Sequence, residues 1–147
     1  MSITYSIAID FDDDGTFTEP GDSITSEILK VEWLLGLSAP YEHISQIAEA
    51  RILVRNASQD FSPEISGNWI GKRLRIQSDD GTVRTHFVGY IDRIEPQTGN
   101  QGSRLAEIIA YGRERELGQH RVRLSLQTDV RADEAIADIL SQIDWRY

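Results

Sequence analysis

The sequence predicts a mainly β protein: a barrel or sandwich of about seven antiparallel strands followed by one C-terminal helix. Three observations lead there. Apolar and polar residues alternate with period two in seven separate segments. Gly, Asp, Asn and Pro punctuate the intervals between them. Beyond Thr128 the period changes to helical spacing.

Ile3, Tyr5, Ile7, Ile9 and Phe11 alternate with Thr4, Ser6, Ala8 and Asp10, the pattern of a half-buried strand. The acidic stretch DFDDDGTFTEPGD follows, over 10–22. Leu29, Val31, Trp33 and Leu35 alternate with Lys30, Glu32 and Leu34 and stop at Gly36. LSAPYEHISQ reads as a loop. Ala48, Ala50, Ile52 and Val54 alternate with Glu49, Arg51 and Leu53, a third strand that ends at Asn56. NASQDFSPEISGNW is rich in turn formers, and its Ser-Pro step disfavours helix. KRLRIQS is a short strand, and the Asp80-Gly81 pair predicts a hairpin turn after it. VRTHFVGYIDRIEP is a longer strand, with Gly89 in its middle predicting a bulge or bend. RLAEIIAYG and RVRLSLQ complete the strands. Ala132, Ala135, Ile136, Ile139, Leu140 and Ile143 share one face of a helix, and Asp133 and Glu134 suit its N-terminal dipole. The expected organisation is a β domain over 1–128, then a helix over 129–147 that covers it or opens a second domain.

Composition narrows function. The chain has 147 residues, 39% of them apolar, enough for one real core. Its net charge is −9 and its pI about 4.7. That argues against a general nucleic-acid binder and against docking on anionic lipid, since both want basic clusters. The absence of cysteine excludes disulfides, thiolate metal sites and a Cys nucleophile. No apolar run approaches the roughly 20 residues of a membrane span. The opening residues MSITYSIAIDF lack the basic region of a signal peptide. A soluble protein not exported by the general route is expected.

The acidic stretch opens as D-x-D-x-D-G, the first half of an EF-hand loop, with Asp10, Asp12, Asp14 and Gly15 in register. The twelfth position should be a bidentate Glu and is Gly21, and the flanks are strands. The favoured reading is therefore a hairpin loop with Gly15 at positive φ and no tightly bound calcium. A looser strand–loop calcium site on Asp10, Asp12 and Asp14 is the alternative, because close carboxylates repel one another and a cation would relieve that. His43, His86 and His120 lie in different segments and read as structural. No G-x-S-x-G is present, Asp79 and Asp80 sit in a turn, and Asn56-Ala57-Ser58 is a glycosylation sequon by letters only. No catalytic constellation emerges.

Arg113, Arg115, Arg121 and Arg123 form a basic zone that Glu114 and Glu116 interrupt. It reads as a solvated sheet face or as a surface that meets acid on another subunit. Trp33 is expected in the core. Trp69, beside Gly67 and Gly71, is the candidate aromatic anchor of an interface.

The order of these features resembles the N-terminal region of phage tail-tip and baseplate hub proteins, including the late-control-protein group. The residues that carry the resemblance are DFDDDGTF, DSITSEIL, a strand ending in WLLG, ARILVRN, FSPE before IGKRLRI, FVGYIDRIE and the helix ADEAIADIL. The resemblance implies a tail-tube-like barrel in a virion structural protein, made in the bacterial cytoplasm. It implies a homo-oligomeric ring, a trimer by preference, that continues the tail tube and contacts other tail proteins such as the tube and the distal tail ring. Any hydrolase or receptor-binding activity of such proteins resides in other regions, and the residues themselves lead to the expectation of no enzyme, no cofactor, no specific nucleic-acid binding and no membrane. Leu35, Phe61, Trp69, Arg113 and Arg115 are the interface candidates under this reading. The rival reading, from another class, is a calcium-dependent carbohydrate-binding β-sandwich with the acidic loop and Trp69 as its site.

Overall fold

The computed structural model describes residues 3–36, 46–62, 64–65, 69–98, 104–117, 121, 123 and 129–142. By contacts the chain divides at Arg113–Glu114 into two compact units. Among the described residues the first holds six strands: β1 (Thr4–Ile9), β2 (Ile28–Gly36), β3 (Gln46–Arg55), β4 (Arg73–Asp79), β5 (Val83–Thr98) and β6 (Arg104–Gly112). They correspond, within two residues at most ends, to the first six alternating segments. The expected strand over 121–127 lies outside the described residues apart from Arg121 and Arg123. The second unit contains a short helix, α1 (Glu114–Leu117), and the expected terminal one, α2 (Ala132–Gln142).

All six strands join one antiparallel sheet in the order β1-β4-β5-β6-β3-β2, curled as a half-barrel. One face of every strand points into the curl. Ile7 and Ile9 pair with Ile76 and Leu74, and Ala50 and Ile52 pair with Ala110 and Ile108. These residues, with Val54, Phe87 and Ile91, form a core that is essentially closed to solvent.

β5 is the longest strand, and it changes partner along its length. Val83–Tyr90 pairs with β4, whereas Gly89–Thr98 pairs with β6. Only Gly89 and Tyr90 are paired on both sides. A Cβ on Gly89 would lie 2.4 Å from the Tyr111 carbonyl oxygen and 2.6 Å from Phe87 Cζ. Glycine is required there by close approach at a barrel corner, not by an unusual φ. Two register shifts flank the corner, leaving His86 opposite no residue of β4 and Asp92 opposite none of β6. Each extra residue flips side-chain parity. Hence Ile91 and Ile94, three apart, are both buried.

The two ends of the sheet, β1 and β2, are not paired with each other. A short extended segment covers part of β1's free edge. The Ile9 N–H donates to the Asp22 carbonyl at 2.9 Å, and the Ile24 N–H donates to the Ile7 carbonyl at 3.1 Å. The Thr25 hydroxyl accepts from the Ile7 N–H at 3.0 Å. No comparable cover lies on β2 among the described residues.

Among the described residues no helix is long and apolar enough to cross a membrane.

Candidate contact surface and acidic loop

Between β1 and β2 the sheet is closed by side chains. The Tyr5 ring lies 6.2 Å from that of Trp33. His86 sits 5.4 Å from Trp33 and 6.2 Å from Tyr5, centroid to centroid. His86 Nε2 is 2.6 Å from the hydroxyl of buried Ser78, which ties β5 to β4 beneath the rings. A groove of about 410 Å³ runs along this seam, lined by Tyr5, Ile7, Leu29, Val31, Trp33 and Ile76 among others. Trp33, expected in the core, is half-buried and packs against it from the seam. His86 is the structural histidine expected; His43 and His120 lie outside the described residues.

β2 also presents apolar groups to solvent. Leu29 is 47%, Leu34 41% and Leu35 48% exposed. Leu35, an interface candidate, is thus open to solvent near the end of β2. Ile47, on neighbouring β3, is 46% exposed and extends the patch. Around it the polar groups are paired: Lys30 with Glu32 at 2.8 Å and Arg51 with Glu49 at 2.6 Å. The Glu49 carboxylate, by hydrogen bond and charge, raises the Arg51 pKa above its ordinary value.

The other interface candidates are placed differently. Phe61 is 3% exposed and fills the core, so it does not reach a contact surface. Its position is set by Asn56, itself buried, whose Oδ1 accepts the Phe61 N–H at 3.0 Å and whose Nδ2 donates to the Ser62 hydroxyl at 3.2 Å. The same bonds occupy the Asn56 amide that glycosylation would need. Trp69 is half-buried, edge-on to Phe61 at 5.1 Å and tilted against Phe11 at 4.8 Å. Its ring is a lid on the core more than a free anchor. Arg113 follows β6 and Arg115 lies in α1; both are half-buried, whereas Arg121 and Arg123 are exposed.

The acidic loop folds over the outer side of β4. Phe17 is clamped there, with the Arg75 guanidinium 4.4 Å and that of Arg73 5.6 Å from its ring centroid. Burial, and next the charge of Arg73, lower the Arg75 pKa. Gly15 takes φ +83°, as the hairpin reading requires, and Asp13 takes φ 65°. Asp13 pairs with Lys72 at 3.0 Å. Asp14 accepts from the Thr16 N–H at 2.7 Å and from its hydroxyl at 3.1 Å. Asp10 is 0% exposed. Its N–H donates to the Arg73 carbonyl at 2.9 Å, and its Oδ2 accepts from the Gly15 N–H at 3.0 Å. Asp10, Asp12 and Asp14 each bring one carboxylate oxygen within 4.8 Å of the others.

Two features escaped the sequence reading. The seam cluster joins residues from four strands, and its only linear signal was that Tyr5 and Trp33 occupy inward positions of their alternation. The burial of Asp10 had no linear signal, since its backbone is held by Arg73 of β4, distant in sequence. Compared with known proteins, the chain matches no family model and no curated protein sequence.

Proposed function

We propose that the chain is a structural component of a phage tail tip or baseplate hub, whose subunits join into a ring that continues the tail tube. The observation that carries this reading is β2. It is an end strand of the sheet, and Leu29, Leu34 and Leu35 are exposed on it. Proteins usually blunt such an edge with charge, proline or a cover, because its unpaired N–H and C=O groups invite another chain. β2 carries one exposed charge pair, Lys30 with Glu32, but its three leucines leave apolar stretches on either side of it, which suit a permanent neighbour. Closed rings need one surface on each subunit that docks on a different surface of the next, and β2 supplies one of the two. A net charge of −9 fits a pipe that passes DNA without holding it. The carbohydrate-module reading has less support, because the ring of Trp69 is engaged by Phe11 and Phe61.

The test is made in the phage that encodes the chain. Leu34→Arg and Leu35→Arg are introduced separately, and particles are imaged by electron microscopy. Both exposed sites accept arginine without loss of the fold, which circular dichroism of the purified variants checks. Loss of assembled tails is expected from each. Normal infectious tails from both variants defeat the interface assignment, and normal tails after deletion of the gene defeat the hub reading.

A further inference from the structure

We propose that Asp10, Asp12 and Asp14 bind a hard divalent cation, and that calcium is the ion they fit. The proposal is independent of the hub reading. It rests on the burial of one of the three carboxyls as well as on their proximity. Asp10 Oδ1 is fully buried and has no hydrogen-bond partner. A buried carboxylate oxygen left without a donor is costly, and native structures rarely tolerate one.

The nearby cations do not relieve it. Lys72 holds Asp13. Arg73 donates to the Gly15 carbonyl at 3.2 Å and lies over Phe17. Among the described residues no lysine or arginine pairs with Asp10, Asp12 or Asp14. Three carboxylates are therefore gathered close together, the innermost of them with an oxygen that has no hydrogen-bond partner, while neighbouring Asp13 is engaged by Lys72.

Calcium answers both the orphaned oxygen and the repulsion. Its oxygen ligands lie at about 2.3–2.6 Å, so two oxygens on one ion are separated by at most about 5 Å. The three aspartates already meet that limit, with oxygens within 4.8 Å. Peptide carbonyls and water complete such shells readily, and calcium tolerates the irregular geometry that magnesium does not. The twelfth loop position is Gly21 and contributes no bidentate carboxylate. Affinity is therefore weak, on the order of 10⁻⁴–10⁻³ M, below the sensor range.

The experiment uses the full chain after chelator treatment. Calorimetric titration with calcium chloride is expected to report one ion per chain. Thermal melting in about 10 mM calcium, against chelator at matched ionic strength, is expected to rise by roughly 5–10 °C. Asp10→Asn risks the fold, so the decisive variants are Asp12→Asn and Asp14→Asn at exposed positions. Each is expected to remove most of the heat and of the melting shift while the protein stays folded in chelator. Magnesium at the same concentration is expected to give little of either. Absence of heat and shift in the unaltered protein overturns the site and leaves water as the partner of Asp10 Oδ1. An equal shift in the Asp12→Asn/Asp14→Asn double variant overturns it too, as general screening of the net negative charge. An equal response to magnesium overturns the assignment to calcium.

Discussion

Tyr5 and Trp33, on the two end strands of the sheet, meet with ring centroids 6.2 Å apart. Their contact closes the curl where no backbone ladder does. A double-mutant cycle with Tyr5→Ala and Trp33→Ala, read by urea unfolding, is expected to return a coupling of about 0.5–1.5 kcal/mol, the ordinary value of an aromatic pair. Zero coupling would mean that the two rings are neighbours without holding the seam.

Gly89→Ala is expected to destabilise the first unit by about 1–3 kcal/mol, the usual cost of overpacking. The new methyl group meets the Tyr111 carbonyl, which is backbone and cannot swing aside. Gly21→Ala is the control. Nothing lies within 4 Å of its Cβ position, so it is expected to be neutral or to stabilise slightly, by up to about 1 kcal/mol. Equal unfolding midpoints for the two variants would refute the corner packing.

Asn56→Ala removes the acceptor of the Phe61 N–H, which is buried, and a loss of about 1–3 kcal/mol is expected. Asn56→Asp keeps that acceptor but loses the amide donor to Ser62. It should fall between the two. Chemical denaturation of the three proteins orders them, and an alanine variant as stable as the parent would contradict the role given to this side chain.

Asp80 and Arg84 pair at 2.6 Å across the β4–β5 turn. That hydrogen bond, and next the one from the Thr82 N–H, lower the Asp80 pKa. A depressed carboxyl pKa contributes stability above the unfolded value of about 3.9 and loses it as pH falls through the folded value. The window is therefore acidic, below about pH 4. Carboxyl NMR titration should find Asp80 below the ordinary aspartate range. Arg84→Ala should raise it, as should high salt, which screens exposed pairs.

The strands were legible in the sequence because each has one buried face, and period two records that directly. The helix over 132–142 was legible for the same reason with a different period. What period two cannot record is a bulge. Ile91 and Ile94 look out of phase until Asp92 is seen to lie opposite no residue of β6. Trp69 and Phe61 show the second limit. Their glycine- and proline-rich surroundings read as surface loop, yet Phe11 reaches Trp69 from across the chain and makes a lid of it. Leu35 continues the alternation of β2, yet it is 48% exposed, because period two marks a face and not what covers it. Asp10 read as a turn residue or as a loop-site ligand, and neither reading carried its burial, because its backbone is held by Arg73 of β4, distant in sequence.

The partner change along β5 has a consequence for synthesis. It divides the sheet into two wings whose backbone ladders meet only at Gly89 and Tyr90: β1, β4 and the first half of β5 on one side, and the rest of β5 with β6, β3 and β2 on the other. The wings interleave along the chain, so neither is a contiguous stretch. A growing chain can form the β2–β3 and β4–β5 hairpins early, but β1 must wait for β4, and β3 must wait for β6. The core cannot close until residue 112 has left the ribosome. Until then the leucines of β2 and the inner faces of both hairpins stand open together, an interval in which nascent chains are prone to associate, and non-local pairing makes it long.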